Sequence, residues 1–146
     1  MSSDEVIQTG SAPAPVGAYP HARRVGEWLY LSGIGPRPAG GGPVPGLVLD
    51  ADGGIESYDM AAQCHAVFAN VRAVLESAGA GFDDLVDITV FLTNIPADFE
   101  TYNRIYAEYF DAATGPCRTT VEVTRLPTPI AIELKCIALA PQEETS

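Results

Sequence analysis

From Ile130 to Leu139 the chain alternates with a period of two, placing Ile130, Ile132, Leu134 and Cys136 on one side and Ala131, Glu133, Lys135 and Ile137 on the other. One side is wholly apolar and the other carries two charges, so the segment reads as a strand whose first face needs a covering layer. That layer is visible upstream. From Tyr58 to Ala78 the apolar residues Met60, Cys64, Val67, Phe68, Val71, Val74, Leu75 and Ala78 recur at intervals of three and four, one continuous helical stripe stopped by Gly79. Leu85 to Thr93 returns to alternation, with Val86, Ile88, Val90 and Leu92 against Asp87, Thr89 and Thr93, a second half-buried strand. Pro96 opens a second helix with the stripe Phe99, Tyr102, Ile105, Tyr106, Tyr109 and Phe110, closed by Gly115 and Pro116. Glu27 to Ser32 and Arg118 to Thr124 read as further strands, and the Gly/Pro-rich run from Gly35 to Gly46 reads as loop. The order strands, helix, strand, helix, two strands predicts an α+β sheet with both helices on one face. A monomer would leave the other face uncovered and would gain by self-association.

Length supports one domain, residues 1–146, with residues 1–10 and 141–146 expected as flexible tails because they hold few apolar residues. Eight basic against nineteen acidic side chains give a net charge of −11, which argues against nucleic acid as a partner. The start MSSDEVIQTG is not a signal peptide and no apolar run suits a bilayer, so a cytoplasmic location without membrane contact is expected. Cys64, Cys117 and Cys136 are too scattered for a disulfide framework.

Elimination narrows the chemistry. No GK[ST] or GxGxxG fingerprint offers a nucleotide seat, and His21, His65 and the three cysteines show no metal-ligand spacing, so neither cofactor nor metal is expected. Lys135 is the one lysine available for Schiff-base chemistry, and Cys64 sits in the helical stripe, where packing explains it. What remains is an arginine and a glutamate expected on neighbouring strands, Arg118 at the start of one and Glu133 interrupting the other. A carboxylate in an apolar strand is paired, protonated or at an open site. Two readings therefore stand: a structural salt bridge between the two, or a site in which Arg118 anchors a carboxylate and Glu133 is a general base.

Several stretches together resemble the reactive intermediate deaminase family, also called YjgF or L-PSP. They are APVGAYPHA, LYLSGIGP, LESAGAGFDDLVDITVFLTN, DFETYNRIYAEYF and PCRTTVEVTRLPTPIAIELKCIA, spanning residues 12 to 140. The resemblance implies a chorismate-mutase-like α+β domain that assembles as a homotrimer, or a multiple of it, with active sites in clefts between subunits. It also implies cofactor-independent hydrolytic deamination of a small enamine or imine acid. By matching position it gives Arg118 the substrate carboxylate and Glu133 the activation of water, with Tyr19, Ser32, Gly33 and Asn103 lining the pocket.

Within the family, SGIGPRP, PGLVLDADGGI, Ala61 to Cys64 and LPTPIAIELKC are most similar to the 2-aminomuconate deaminases of aromatic-compound degradation, which implies conversion of 2-aminomuconate to 4-oxalocrotonate and ammonia. A general deaminase of 2-aminoacrylate-type imines and a non-catalytic small-acid-binding trimer are the alternatives. The distal carboxylate of a dicarboxylic substrate needs its own donor, and His21 and Arg37 are the candidates, Arg37 lying in a loop, Gly35 to Gly54, that is longer than a general imine deaminase of the family needs.

Overall fold

The computed structural model describes residues 4–141. In chain order the elements are β1 (Glu5–Ile7), β2 (Ala22–Val25), β3 (Trp28–Leu31), β4 (Val48–Leu49), β5 (Ile55–Ser57), α1 (Met60–Ser77), β6 (Leu85–Leu92), α2 (Ile95–Tyr109), β7 (Cys117–Glu122) and β8 (Ile132–Leu139). Six strands form one mixed sheet in the order β1-β2-β3-β8-β6-β7, while β4 and β5 make a separate hairpin. Only the β6–β7 pair in that sheet is parallel, and α2 is the crossover that a parallel pair requires.

Both helices start on side-chain caps: Asp59 accepts from the Ala62 N–H at 3.0 Å and Asn94 from the Ala97 N–H at 3.1 Å. At the far end of α1, Gly79 takes φ of 77° and the Ala80 N–H returns to the Leu75 carbonyl at 2.8 Å, closing the helix where a side chain would be strained. The α1 stripe, through Cys64, Val67, Phe68, Val71, Val74 and Leu75, packs with Leu29 and Leu31 of β3, Ile88, Val90 and Leu92 of β6, and Ile132, Leu134 and Cys136 of β8. From α2, Tyr102 and Ile105 join that core. This is the expected α+β arrangement, with the helical layer on one face of the sheet.

The structure departs from the sequence reading at several places. Glu5–Ile7, placed by sequence in a flexible tail, pairs with β2 and buries Ile7, and Pro141 accepts a hydrogen bond from Arg24 at 2.9 Å; residues 1–3 and 142–146 lie outside the described residues. The long loop from Gly35 to Gly54 holds β4, half of the hairpin. In β6 an irregularity between Leu85 and Asp87 shifts the alternation, so Leu85 rather than Val86 takes the buried place at that end. Phe99 belongs to no core and is exposed.

The second face of the sheet carries Trp28, Tyr30, Phe91, Glu133, Lys135, Ile137 and Leu139, and Trp28, Tyr30 and Leu139 are exposed. Lys135 on this face donates to the Leu31 carbonyl. Among the described residues no helix is long and apolar enough to cross a membrane.

Candidate functional site

Strand order in space separates the two residues that sequence order brought together. β6 lies between β7 and β8, so Arg118 and Glu133 are not on neighbouring strands. In the parallel β6–β7 register Arg118 stands beside Ile88, which points into the core; in the antiparallel β6–β8 register Glu133 stands beside Phe91, three residues further on. An odd separation along a regular strand means opposite faces, so the sheet itself lies between the guanidinium and the carboxylate. The structural salt bridge is thereby ruled out within one chain.

Arg118 lies against α2. One guanidinium nitrogen donates to Asn103 Oδ1 at 2.9 Å, and the group sits 4.6 Å from the centroid of Tyr106, 5.4 Å from Tyr102 and 5.9 Å from Phe99. Those rings explain the aromatic stripe of the helix beyond its core contribution: Tyr102 and Tyr106, tilted by 50° to each other, form an electron-rich cradle for a cation. Burial pushes the Tyr102 and Tyr106 phenols up and Arg118 opposes the rise. The Tyr102 hydroxyl is buried and finds no hydrogen-bond partner among the described residues.

Glu133 occupies the other half. Tyr19, Gly33, Arg37, Thr128 and Ile130 line a pocket with it. Burial raises its pKa above the usual carboxylate range, and the Arg37 charge pulls it partly back. Space in front of the carboxylate exists because residue 33 is glycine: a β-carbon there would come within 2.8 Å of Glu133 Oε2. Ser32, one residue earlier, donates its hydroxyl to the Pro20 carbonyl at 2.7 Å and so ties the end of β3 to the segment carrying Tyr19. The Tyr19 hydroxyl accepts from the Val16 N–H at 3.2 Å, which leaves its proton for an acceptor in the pocket.

The two candidate donors for a distal carboxylate fare differently. His21 is buried; its Nδ1 accepts from the Thr9 N–H at 3.3 Å, which places the ring proton on Nε2, and Nε2 donates to the Pro13 carbonyl at 2.9 Å. Both ring nitrogens are spent on backbone, and His21 is a tie between β2 and the residue 9–13 segment rather than a ligand donor. Arg37 faces the Glu133 pocket, with one guanidinium nitrogen on the Ala14 carbonyl at 2.9 Å.

Two positioning residues were not singled out from sequence. Gln63 and Asn70 lie at helical spacing with Val67 and Val74, inside the α1 stripe, and both are buried. Gln63 accepts from the Ala131 N–H at 2.8 Å, fixing β8 two residues before Glu133. Asn70 donates to the Gly35 carbonyl at 2.8 Å and the Arg37 carbonyl at 2.7 Å. A polar side chain repeating with an apolar stripe is the signal that finds them, since burial obliges it to hold something.

Known proteins place this arrangement. Residues 9–140 match the Endoribonuclease L-PSP family, and the chain belongs to that family, the YjgF/RidA group. It is 37% identical over 140 residues to the RutC family protein slr0709 of Synechocystis, covering 94% of this chain and 97% of the relative. Reactive Intermediate Deaminase A of Arabidopsis thaliana chloroplasts is 36% identical over 134 residues, 92% of this chain and 65% of the longer plant protein. The crystal structure of Escherichia coli TdcF with bound serine superposes with a TM-score of 0.78 at 30% identity, covering 92% of this chain and 98% of TdcF. The fold is the chorismate-mutase-like α+β domain that the sequence motifs implied.

Proposed function

We propose that the chain is a hydrolytic deaminase of small imine or enamine acids whose active site forms between two copies of the chain. The observation that carries this reading is Glu133, a half-buried carboxylate in an open pocket, with its pKa raised by burial and no hydrogen bond to it among the described residues. A site that only held an acid would gain nothing from a second carboxylate facing the ligand, whereas a hydrolase needs a base closer to neutrality than an ordinary glutamate. The relatives named for reactive intermediates, such as the Arabidopsis protein, support imine and enamine acids as the general class more than they support 2-aminomuconate in particular.

In the proposed reaction Arg118 of one copy holds the carboxylate beside the C=N carbon, aided by Asn103, and the aromatic cradle limits its motion. Glu133 of a second copy takes a proton from water as the oxygen adds to that carbon and passes it to the imine nitrogen, then carries the proton of the new hydroxyl to the same nitrogen as the C–N bond breaks, giving the 2-oxo acid and ammonia. Tyr19 donates a hydrogen bond in the pocket and Gly33 leaves room for water beside the base. Arg118 and Glu133 point to opposite faces of one sheet, so two copies must meet to bring them together. The exposed apolar face around Trp28, Tyr30 and Leu139 supplies a surface for that meeting, and a trimer closes it. The test uses imines generated in situ by an amino-acid oxidase and trapped with semicarbazide. Arg118→Ala and Glu133→Gln should each abolish the acceleration of imine loss, and Glu133→Gln should retain binding of stable 2-oxo acids. Full activity in either variant would overturn the reading.

A further inference from the structure

We propose that Arg37 is a second carboxylate anchor, making the Glu133 pocket selective for imines and enamines of dicarboxylic acids; this rests on the deaminase reading above. Among the residues lining that pocket Arg37 is the one cation. It is also held in place. Buried Asn70 spends its two N–H donors on the Gly35 and Arg37 carbonyls, so α1 fixes the backbone that carries Arg37, and the guanidinium is itself tied to the Ala14 carbonyl. One of its five donors is used in that tie, and the fork keeps donors for a ligand.

A cation at this point works against a general base, because it stabilises the ionised carboxylate and lowers its basicity. Its presence is explained when the ligand itself brings a negative charge to it. With Arg118 on the carboxylate beside the reacting carbon, the second carboxylate of a bound diacid pairs with Arg37, neutralises it and releases Glu133 to act at its burial-raised strength. An uncharged side chain makes no such contact. His21, the other candidate donor from sequence, has no free ring nitrogen to compete for this role.

The measurement compares the full-length protein with Arg37→Ala and Arg37→Lys, using imines produced from aspartate or glutamate and from alanine or leucine. Arg37→Ala should lower kcat/KM on the dicarboxylic imines at least about tenfold more than on the monocarboxylic ones, chiefly through KM, with Arg37→Lys between the two. Equal losses on both classes, or none on either, would overturn the proposal. Succinate against butyrate as inert ligands in equilibrium binding gives a readout independent of turnover: wild type should prefer succinate and Arg37→Ala should lose that preference. Should Glu133→Gln turn over every imine normally, the deaminase reading fails while the succinate preference still decides the role of Arg37.

Discussion

Replacing Gly33 with alanine separates activity from stability at a single atom. The backbone at residue 33 is not in the left-handed region, so alanine carries no conformational penalty there. Its β-carbon meets Glu133 Oε2 at 2.8 Å, about 0.6 Å inside ordinary van der Waals contact. The obstacle is the tip of a flexible side chain rather than backbone, and the carboxylate gives way at a stability cost of about 1 kcal/mol or less. For catalysis the same displacement is expensive, since about 1 Å of misplacement costs about a hundredfold, and 0.6 Å should cost about ten- to fiftyfold in kcat. Semicarbazide trapping of imines measures the rate and guanidinium unfolding measures the stability. A Gly33→Ala protein with wild-type kcat would refute the assignment of the Glu133 carboxylate, in its observed position, as the base. One that unfolds several kcal/mol more readily would show that Gly33 serves the fold instead.

Glu133 should also cost the protein stability. Its folded pKa is raised, so the cost is absent below the usual glutamate range, appears as pH rises through the folded pKa and persists above it. Glu133→Gln should therefore be more stable than wild type at pH 7, with the difference shrinking as pH falls toward 4; a variant less stable at neutral pH would contradict the burial argument. Asn70→Ala removes two hydrogen bonds and should cost about 1 to 3 kcal/mol in denaturant unfolding, while weakening dicarboxylic substrates in the same sense as Arg37→Ala. Sedimentation at micromolar concentration should give a trimer or a multiple of it, and a stable monomer would be incompatible with a site shared between copies.

Long elements were legible because burial imposes a period on them. The α1 stripe and the alternation of β8 each extend over enough residues for the pattern to be unambiguous. β1 and β2 were not, since EVI and ARRV are too short and too polar to show a period, although β2 joins β3 through the two-residue turn at Gly26 and Glu27. The β4–β5 hairpin hides in a Gly/Pro-rich stretch for the same reason. At the site, a carboxylate breaking an apolar strand announced itself. The relation of Arg118 to Glu133 did not, because it depends on β6 being inserted between strands that follow each other in the chain. Nor could sequence choose between His21 and Arg37, both of them N–H donors near the right place; the hydrogen bonds decide, with His21 fully engaged with backbone and Arg37 holding donors to spare.

The claim that one site is made by two copies has a direct test in subunit mixing. Arg118→Ala and Glu133→Gln proteins, each inactive alone, are co-refolded or co-expressed in equal amounts so that mixed assemblies form. An interface between an Arg118-bearing Glu133→Gln copy and a Glu133-bearing Arg118→Ala copy then holds one intact pair. Random assembly into closed trimers places such a pair at about a quarter of the interfaces, and about a quarter of the wild-type activity per site should return. Mixed trimers, verified by mass, that remain as inactive as their parents would contradict the shared site.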